Sequence, residues 1–271
     1  MSNKRKFLSS VILAFMLLVV LFPIVWMVIM SITPRQYLFK SFLPPNATLE
    51  NYYSILKDTR VLLCYRNSLI IASGVVILTL IIGAPAAYAL SRYRFKLRTP
   101  IITLIVITQM LPMTLLATAY LRIIPPLGLY NNLITLILVD TTNALPLVIL
   151  LIKSTFDTIP RELEEVALID GCSKSGAFIR ITLPVAGAGI FAAGFFAFEE
   201  AWIEFLYGLT LTSDTAAMPL TVQIAERLGH YVIDWGQMMA MSFGLSLPVF
   251  VLFLIFQNNL LRGFMSGALK E

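Results

Sequence analysis

Several acidic and amide side chains interrupt apolar stretches of this sequence, where a charged group is costly unless it faces protein or water. They are Asp140, Asn143, Glu199, Glu200 and Glu204. Carboxylates and amides form hydrogen bonds with hydroxyl groups. The aromatic residues Trp202 and Tyr207 lie close by in the sequence and predict stacking surfaces for sugar rings. Together these residue types predict the polar wall of a cavity that binds a hydroxyl-rich solute.

Other interpretations of the same residues stay open. Glu204 is also consistent with a position at the outer membrane interface, and Asp140 with an ion pair to Arg122. Asp140 and Glu200 would also serve as proton sites in an ion-coupled carrier. A structural membrane scaffold is a further alternative, but it leaves the carboxylates within apolar stretches unexplained.

The composition indicates a membrane protein. Hydrophobic residues make up 58% of the 271 residues and charged residues 13%, and the mean hydropathy is +0.85. A soluble core of this size cannot hide that much apolar surface, so part of it must face lipid. Six windows are long and apolar enough to span a bilayer. They are approximately 7–32, 68–91, 100–121, 133–152, 183–202 and 236–256.

The distribution of lysine and arginine predicts the orientation of these spans. Basic residues concentrate in the short loops on one side, as in Arg92, Arg94, Lys96 and Arg98, and are sparse in the longer loops on the other side. Cytoplasmic loops carry this excess in membrane proteins. Both termini are therefore predicted to be cytoplasmic. Because topology accounts for the basic residues, we expect no nucleic-acid partner.

The polar segment 160–182 interrupts the apolar sequence on the predicted cytoplasmic side. Pro160 suits a helix start, the acidic residues that follow suit the positive end of a helix dipole, and Gly171 suits a left-handed turn at its end. The spacing predicts a short helix in which Leu163, Val166 and Ala167 share one face. Ser173 is predicted to cap a second short helix.

The sequence 171–176 has the glycine spacing of a phosphate-binding loop, but Ala177 and Phe178 occupy the positions that require Lys and Ser or Thr. We therefore expect no ATP site on this chain. The cysteines, Cys64 and Cys172, and the single histidine, His230, are predicted to lie in different compartments or loops, so no metal site is expected. These observations predict a chain that is not an enzyme.

The polar segment also resembles a known signature. Membrane subunits of binding-protein-dependent ABC importers carry Glu-Ala-Ala, three residues, Gly, and later Ile-x-Leu-Pro. Glu165, Val166, Ala167 and Gly171, followed by the run 181–184, occupy those positions. The resemblance extends over nearly the whole chain to the smaller permease of maltose-type carbohydrate importers. The stretches that carry it are 44–52, 86–92, 218–222, 234–236 and 257–270.

The resemblance implies an all-α, six-span ABC type I importer permease fold, with residues 1–271 as a single transmembrane domain. It implies that a cytoplasmic coupling helix docks on an ATPase subunit, and that the loop 213–234 contacts a binding protein. At one position the chain departs from the family, because Ile203 replaces the Asn of a Trp-Asn-Glu-Phe motif. The implied coupling residues are Glu165, Ala167, Asp170 and Gly171, and the implied ATPase-contacting tail is Gly267, Ala268, Leu269 and Lys270.

The same resemblance implies several partners. They are a second homologous permease, a dimer of ABC ATPase subunits that hold ATP and magnesium, an extracytoplasmic solute-binding protein and membrane lipid. The expected location is the cytoplasmic membrane of a bacterium or archaeon, and the expected cargo is carbohydrate. An ion-coupled secondary carrier and an ABC importer for a non-sugar solute are the alternatives.

Overall fold

The computed structural model describes residues 3–229 and 233–268, with side chains described for 9–228 and 233–257. Every regular element in those residues is helical, as the all-α prediction requires. In chain order the helices are α1 Asn3–Ser31, α2 Glu50–Lys57, α3 Thr59–Arg92, α4 Arg98–Thr108, α5 Met113–Ile123, α6 Leu133–Thr158, α7 Glu162–Ile169, α8 Lys174–Ala177, α9 Leu183–Val185, α10 Gly187–Ile203, α11 Leu206–Leu211, α12 Leu220–Glu226 and α13 Trp235–Ala268.

Within the described residues, four helices (α1, α3, α6 and α13) are each long and apolar enough to cross a membrane. They coincide with the first, second, fourth and sixth predicted spans. Helices α3 and α13 contain 34 residues each. At about 1.5 Å per residue, such a helix is longer than the roughly 30 Å of a bilayer core. Both helices are also longer than the predicted windows. Helix α3 already begins at Thr59, and α13 continues to Ala268.

The third predicted span, 100–121, is broken into two helices. Helix α4 ends at Thr108 and α5 begins at Met113, and the two segments meet at an angle of 93°. Pro112 stands between them in an extended conformation, with φ −63° and ψ 131°. Proline has no amide hydrogen and disfavours a helical conformation in the residue before it. The helix therefore stops, and the chain turns before α5 begins.

The fifth predicted span, 183–202, is bent near its N-terminal end. Segments Lys174–Val185 and Gly187–Ile203 meet at 78°. Pro184 removes the amide that would bond to the carbonyl four residues earlier, and residues Phe178–Thr182 form a wider π turn. Ala186, with ψ 0°, marks the bend. The long apolar part of this span is α10 alone.

Helix α10 packs mainly on α6 through small residues. Gly189, Ala193 and Ala197 recur every four residues and are buried. A side chain at Gly189 would collide with Thr155, so the two helices approach closely there. Small residues at helix interfaces permit this approach in membranes. The packing brings the C-terminal half of α10 beside the middle of α6.

The chain divides into two compact units, Met1–Leu62 with Gln223–Pro248, and Leu63–Val222 with Val249–Glu271. In the first unit the Asn51 amide donates to the carbonyl oxygen of Ser31 at 2.8 Å. The second unit contains α4 to α11 and all the membrane-depth carboxylates discussed above. The assignment of residues 1–271 to a single domain stays a prediction.

Candidate functional site

A cleft of about 390 Å³ lies beside the break between α4 and α5. The Asn143 amide donates a hydrogen bond to Glu200 Oε1 there, which ties α6 to α10. One part of the lining is polar and the rest is apolar, and none of the lining residues is basic. The lining residues are Gln109, Leu111, Met113, Asn143, Leu147, Phe196, Glu199, Glu200 and Ile203. The cleft can therefore form hydrogen bonds on one side and cover apolar surface on the other.

The elements around the cleft explain why these residues meet. Asn143 and Leu147 lie one turn apart on α6, and Phe196 and Glu200 one turn apart on α10. The broken span contributes Gln109, because its chain turns here instead of continuing as a helix. The structure thus brings together Asn143, Glu199 and Glu200, which the sequence had singled out. Gln109 was not predicted as a cleft residue, although Pro112, three residues later, indicates that the helix is interrupted near it.

Asp140 is buried one turn before the cleft residue Asn143, with 5% of its surface exposed, and it does not line the cleft. Its Oδ1 atom has no hydrogen-bond partner in the described residues. The salt bridges in that part of the chain do not include Arg122, so the alternative of an Asp140–Arg122 pair is wrong. Glu200 and Glu204 lie close enough for their charges to act on Asp140. A buried carboxylate with a free oxygen is costly, and such groups are typical of functional sites in membrane proteins.

Glu204 holds the start of α11. Its Oε1 accepts a hydrogen bond from the amide of Tyr207 at 2.6 Å, and its Oε2 accepts one from the amide of Gly208 at 3.0 Å. The first amides of a helix have no partner within the helix, so a side chain that accepts from them stabilises the helix. Glu204 is therefore a helix cap in this structure, and its predicted place in the solute pathway stays a prediction.

Trp202 and Tyr207 are each only 1% exposed. The Trp202 ring stacks on Phe198 with centroids 5.5 Å apart and meets the edge of Tyr65 at 5.6 Å. Tyr207 packs edge-on against Tyr120 at 5.7 Å. Both rings are therefore covered by protein, and neither offers the solute-stacking surface that the sequence predicted. Phe196, which lines the cleft, is the aromatic ring in that position.

The polar segment 160–182 has the predicted local structure. Helix α7 begins at Glu162, and Gly171 follows it with φ 88°, a left-handed conformation that glycine adopts without steric cost. The Cys172 amide bonds back to the carbonyl of Ala167 at 2.9 Å. Ser173 caps α8 by accepting from the amide of Gly176 at 3.1 Å. The predicted turn at Gly171 and the predicted cap at Ser173 are confirmed.

The face of α7 that carries Leu163, Val166 and Ala167 is only partly covered by the rest of the chain. Ala167 is buried, whereas Leu163 and Val166 are exposed. Ile169 is 84% exposed and extends the apolar surface formed by Leu163 and Val166. Spacings of three residues place these side chains on one side of a helix. Of the predicted coupling residues, Glu165, Asp170 and Gly171 are exposed and Ala167 is buried.

Glu164, which the sequence did not single out, anchors α7 to the rest of the chain. It forms a salt bridge with Arg92 of α3 at 2.7 Å, and the two side chains are 11% and 8% exposed. Tyr88 and Thr182 also donate hydrogen bonds to its carboxylate. Glu164 lies three residues before Ala167, on the same helix face. That spacing in the sequence indicates that Glu164 shares the buried face of the helix with Ala167, but it does not identify the residues that bind the Glu164 carboxylate.

The loop after α11 is held by hydrogen bonds to other parts of the chain. The Asn67 amide donates to the carbonyls of Thr215 and Met218, at 2.9 and 3.1 Å. Asn131 accepts from the amide of Ser213 at 3.1 Å. A hydrogen bond from the Asn131 side chain also lowers the pKa of Asp214 below its ordinary value. This loop begins the predicted binding-protein contact 213–234, of which residues 230–232 lie outside the described residues.

The predicted tail is described only in part. Gly267 and Ala268 are the last residues of α13, and Leu269 and Lys270 lie outside the described residues. Within the described ranges, no group of three or more His, Cys, Asp and Glu side chains is arranged to hold a metal ion.

Comparison with known proteins gives consistent results. Residues 79–266 match the family described as "Binding-protein-dependent transport system inner membrane component". The chain is 35% identical over 253 residues to the sulfoquinovosyl glycerol transport system permease protein SmoH of Agrobacterium fabrum, covering 92% of this chain and 89% of that protein. It is 34% identical over 259 residues to the trehalose/maltose transport system permease protein MalG of Thermococcus litoralis, covering 94% and 93%.

A solved structure has the same fold. It is a chain of a bacterial ABC transporter involved in the import of the acidic polysaccharide alginate, with a TM-score of 0.82 and 20% identity, covering 95% of this chain and 98% of that chain. The chain is a multi-pass membrane protein with the fold of an ABC importer permease. It belongs to the family of inner membrane components of binding-protein-dependent transport systems.

Proposed function

We propose that this chain is a permease subunit of an ATP-driven importer that carries a carbohydrate. The observation that carries this proposal is a sequence similarity. Over more than nine-tenths of its length, the chain is similar to permeases named for sulfoquinovosyl glycerol and for trehalose/maltose. Family membership favours this function over an ion-coupled carrier.

The chemistry of the cleft supports a sugar as the solute. Glu199, Glu200, Asn143 and Gln109 supply hydrogen-bonding groups, and Phe196 supplies an apolar face. Sugars combine hydroxyl groups with apolar C–H faces, so both parts of the lining have a counterpart in such a ligand.

The exposed part of α7 supports docking on a partner ATPase. Leu163, Val166 and Ile169 expose apolar side chains, and Glu165 and Asp170 expose carboxylates beside them. An apolar surface with a polar rim is typical of a protein interface. ATP and magnesium are then bound by the partner subunits, and closure of the ATPase dimer moves α7 as a rigid body.

The remaining partners follow from the same proposal. A second, homologous permease completes the membrane pathway, and an extracytoplasmic binding protein delivers solute to the loop 213–234. The tail 267–270 contacts the ATPase subunits. Both termini are cytoplasmic, in agreement with the excess of basic residues in the short loops.

The energy source tests this proposal. Uptake of a labelled sugar is measured in cells expressing the whole system, with ATP depleted while the proton-motive force is held constant. We expect accumulation to stop when ATP falls. Accumulation that continues without ATP would exclude the importer and favour the ion-coupled carrier.

A further inference from the structure

We propose that Glu164 is the positioning residue through which movement of α7 reaches α3. This inference rests on the proposed coupling of α7 to an ATPase. It concerns a residue beside the motif glutamate, Glu165, which is itself exposed and free to face a partner.

The contacts of Glu164 join three separate parts of the chain. Its Oε1 accepts from Arg92 Nε at 2.7 Å and from Thr182 Oγ1 at 2.9 Å, and its Oε2 accepts from the Tyr88 hydroxyl at 2.8 Å. One carboxylate thus connects α7 to the cytoplasmic end of α3 and to the π turn before α9. Charge-assisted hydrogen bonds of this kind are short and directional, so they transmit orientation as well as attraction.

The end of α3 is tied to α6 as well. Ser91 donates to Asp157 Oδ1 at 2.7 Å, and Arg92 Nη2 donates to the carbonyl oxygen of Ile159 at 3.1 Å. Arg161 Nη2 donates back to the carbonyl oxygen of Ser91 at 3.3 Å. The ends of α3, α6 and α7 are therefore cross-linked by side chains. A force applied to α7 moves these ends together.

The connection from α7 towards α10 has a different character. It passes through the π turn Phe178–Thr182 and the bend at Ala186. Interruptions of this kind often act as hinges. Glu164 contacts α3 directly, whereas on the other side it reaches only Thr182, and the bend at Ala186 lies between that contact and α10. Glu164 therefore passes movement of α7 more directly to α3, and through it to α6, than to α10.

A purely structural ion pair would hold the fold without affecting coupling, and the two roles are separable by experiment. Glu164→Gln keeps the shape and an oxygen that accepts hydrogen bonds, but it removes the charge that pairs with Arg92. Glu162→Gln is the matched control, since Glu162 lies on the same helix and is exposed. Each variant is assembled with its ATPase, second permease and binding protein in lipid vesicles. ATP hydrolysed per solute imported is measured, together with co-purification of the ATPase.

We expect Glu164→Gln to retain the ATPase and to raise the ATP hydrolysed per solute at least about fivefold, the lower end of ordinary coupling effects. Glu162→Gln should match the parent. Tyr88→Phe removes a single hydroxyl and should show the same defect to a smaller degree. If Glu164→Gln does not accumulate in the membrane, the ATP hydrolysed per solute in Tyr88→Phe tests the inference instead.

Two results would overturn the inference. One is a parental ATP-to-solute ratio in Glu164→Gln, or in Tyr88→Phe where Glu164→Gln does not accumulate. The other is loss of ATPase co-purification in Glu164→Gln, which would make the residue part of docking. Failure of the proposed function is distinguishable, because the parent assembly itself would then show no ATP-dependent uptake.

Discussion

Asn143 of α6 donates a hydrogen bond to Glu200 of α10, across 57 residues of sequence. The bond fixes one carboxylate oxygen, Oε1, at the wall of the cleft. A carboxylate can accept several hydrogen bonds, so Glu200 can also accept one from a solute hydroxyl group in the cleft.

Removing the charge or the orientation of Glu200 should therefore weaken solute recognition. We expect Glu200→Gln and Asn143→Ala each to raise the apparent KM for uptake roughly 5-fold to 150-fold, equivalent to about 1–3 kcal/mol. Leu138→Ala is a control on the exposed side of α6. The check is initial uptake rate against solute concentration, with ATPase assembly unchanged. Parental kinetics in both variants would remove these residues from the solute path.

Replacement of Glu204 should lower the stability of the protein and leave its affinity for solute unchanged. Glu204→Ala leaves the amides of Tyr207 and Gly208 without their acceptor, and losing a helix cap costs about 0.5–2 kcal/mol. We expect a lower thermal unfolding midpoint and an unchanged KM in the protein that remains folded. Glu199→Gln, which removes a carboxylate from the cleft, should show the opposite pattern. A Glu204→Ala variant with parental stability and altered KM would restore Glu204 to the solute site.

Gly171 tests the turn that ends α7. Apart from its chain neighbours, no described residue has an atom within 4 Å of the position that a Cβ of residue 171 would occupy, so the effect of a substitution comes from the left-handed φ of 88°. A β-branched residue there costs about 1–2 kcal/mol, whereas Asn tolerates the conformation. We expect Gly171→Val to lose ATP-driven uptake and Gly171→Asn to retain most of it. Equal uptake by the two variants would show that the turn does not matter for coupling.

Orientation can be measured with thiol reagents. The half-exposed thiol of Cys172 is predicted to be cytoplasmic, and Ala216→Cys places an exposed thiol in a loop that is predicted to lie on the opposite side. An impermeant maleimide added to intact cells should label Ala216→Cys and spare Cys172. The buried Cys64 is unsuitable as an outer reporter. Labelling of Cys172 from outside would reverse the predicted topology.

Hydropathy predicted the positions of the spans because lipid exposure depends mainly on residue type. It could not reveal the break at Pro112, since a window of many residues averages over a local turn. The motif identified Glu165, whereas the buried anchor is its neighbour Glu164. Its burial depends on Arg92, which lies 72 residues earlier, and that proximity exists only after folding.

The surroundings of Trp202 also could not be predicted from the sequence. A tryptophan near carboxylates suits a sugar site, but whether its ring is free depends on Phe198 and Tyr65. Phe198 precedes it by one helical turn, and Tyr65 comes from α3. Residue type predicted the chemistry of the region, while helix packing decided which ring faces the cleft.

The broken third span has a consequence for the life of the subunit in the cell. Between Thr108 and Met113 the backbone leaves the helical pattern between two apolar helices, and Met110 is 78% exposed there. Hydrocarbon cannot satisfy irregular backbone, so this face requires protein or water against it. A copy that is synthesised without its partners should be recognised as an orphan and degraded. Pulse-chase labelling should give a shorter half-life in cells that lack the second permease, and equal half-lives would show that the break tolerates lipid.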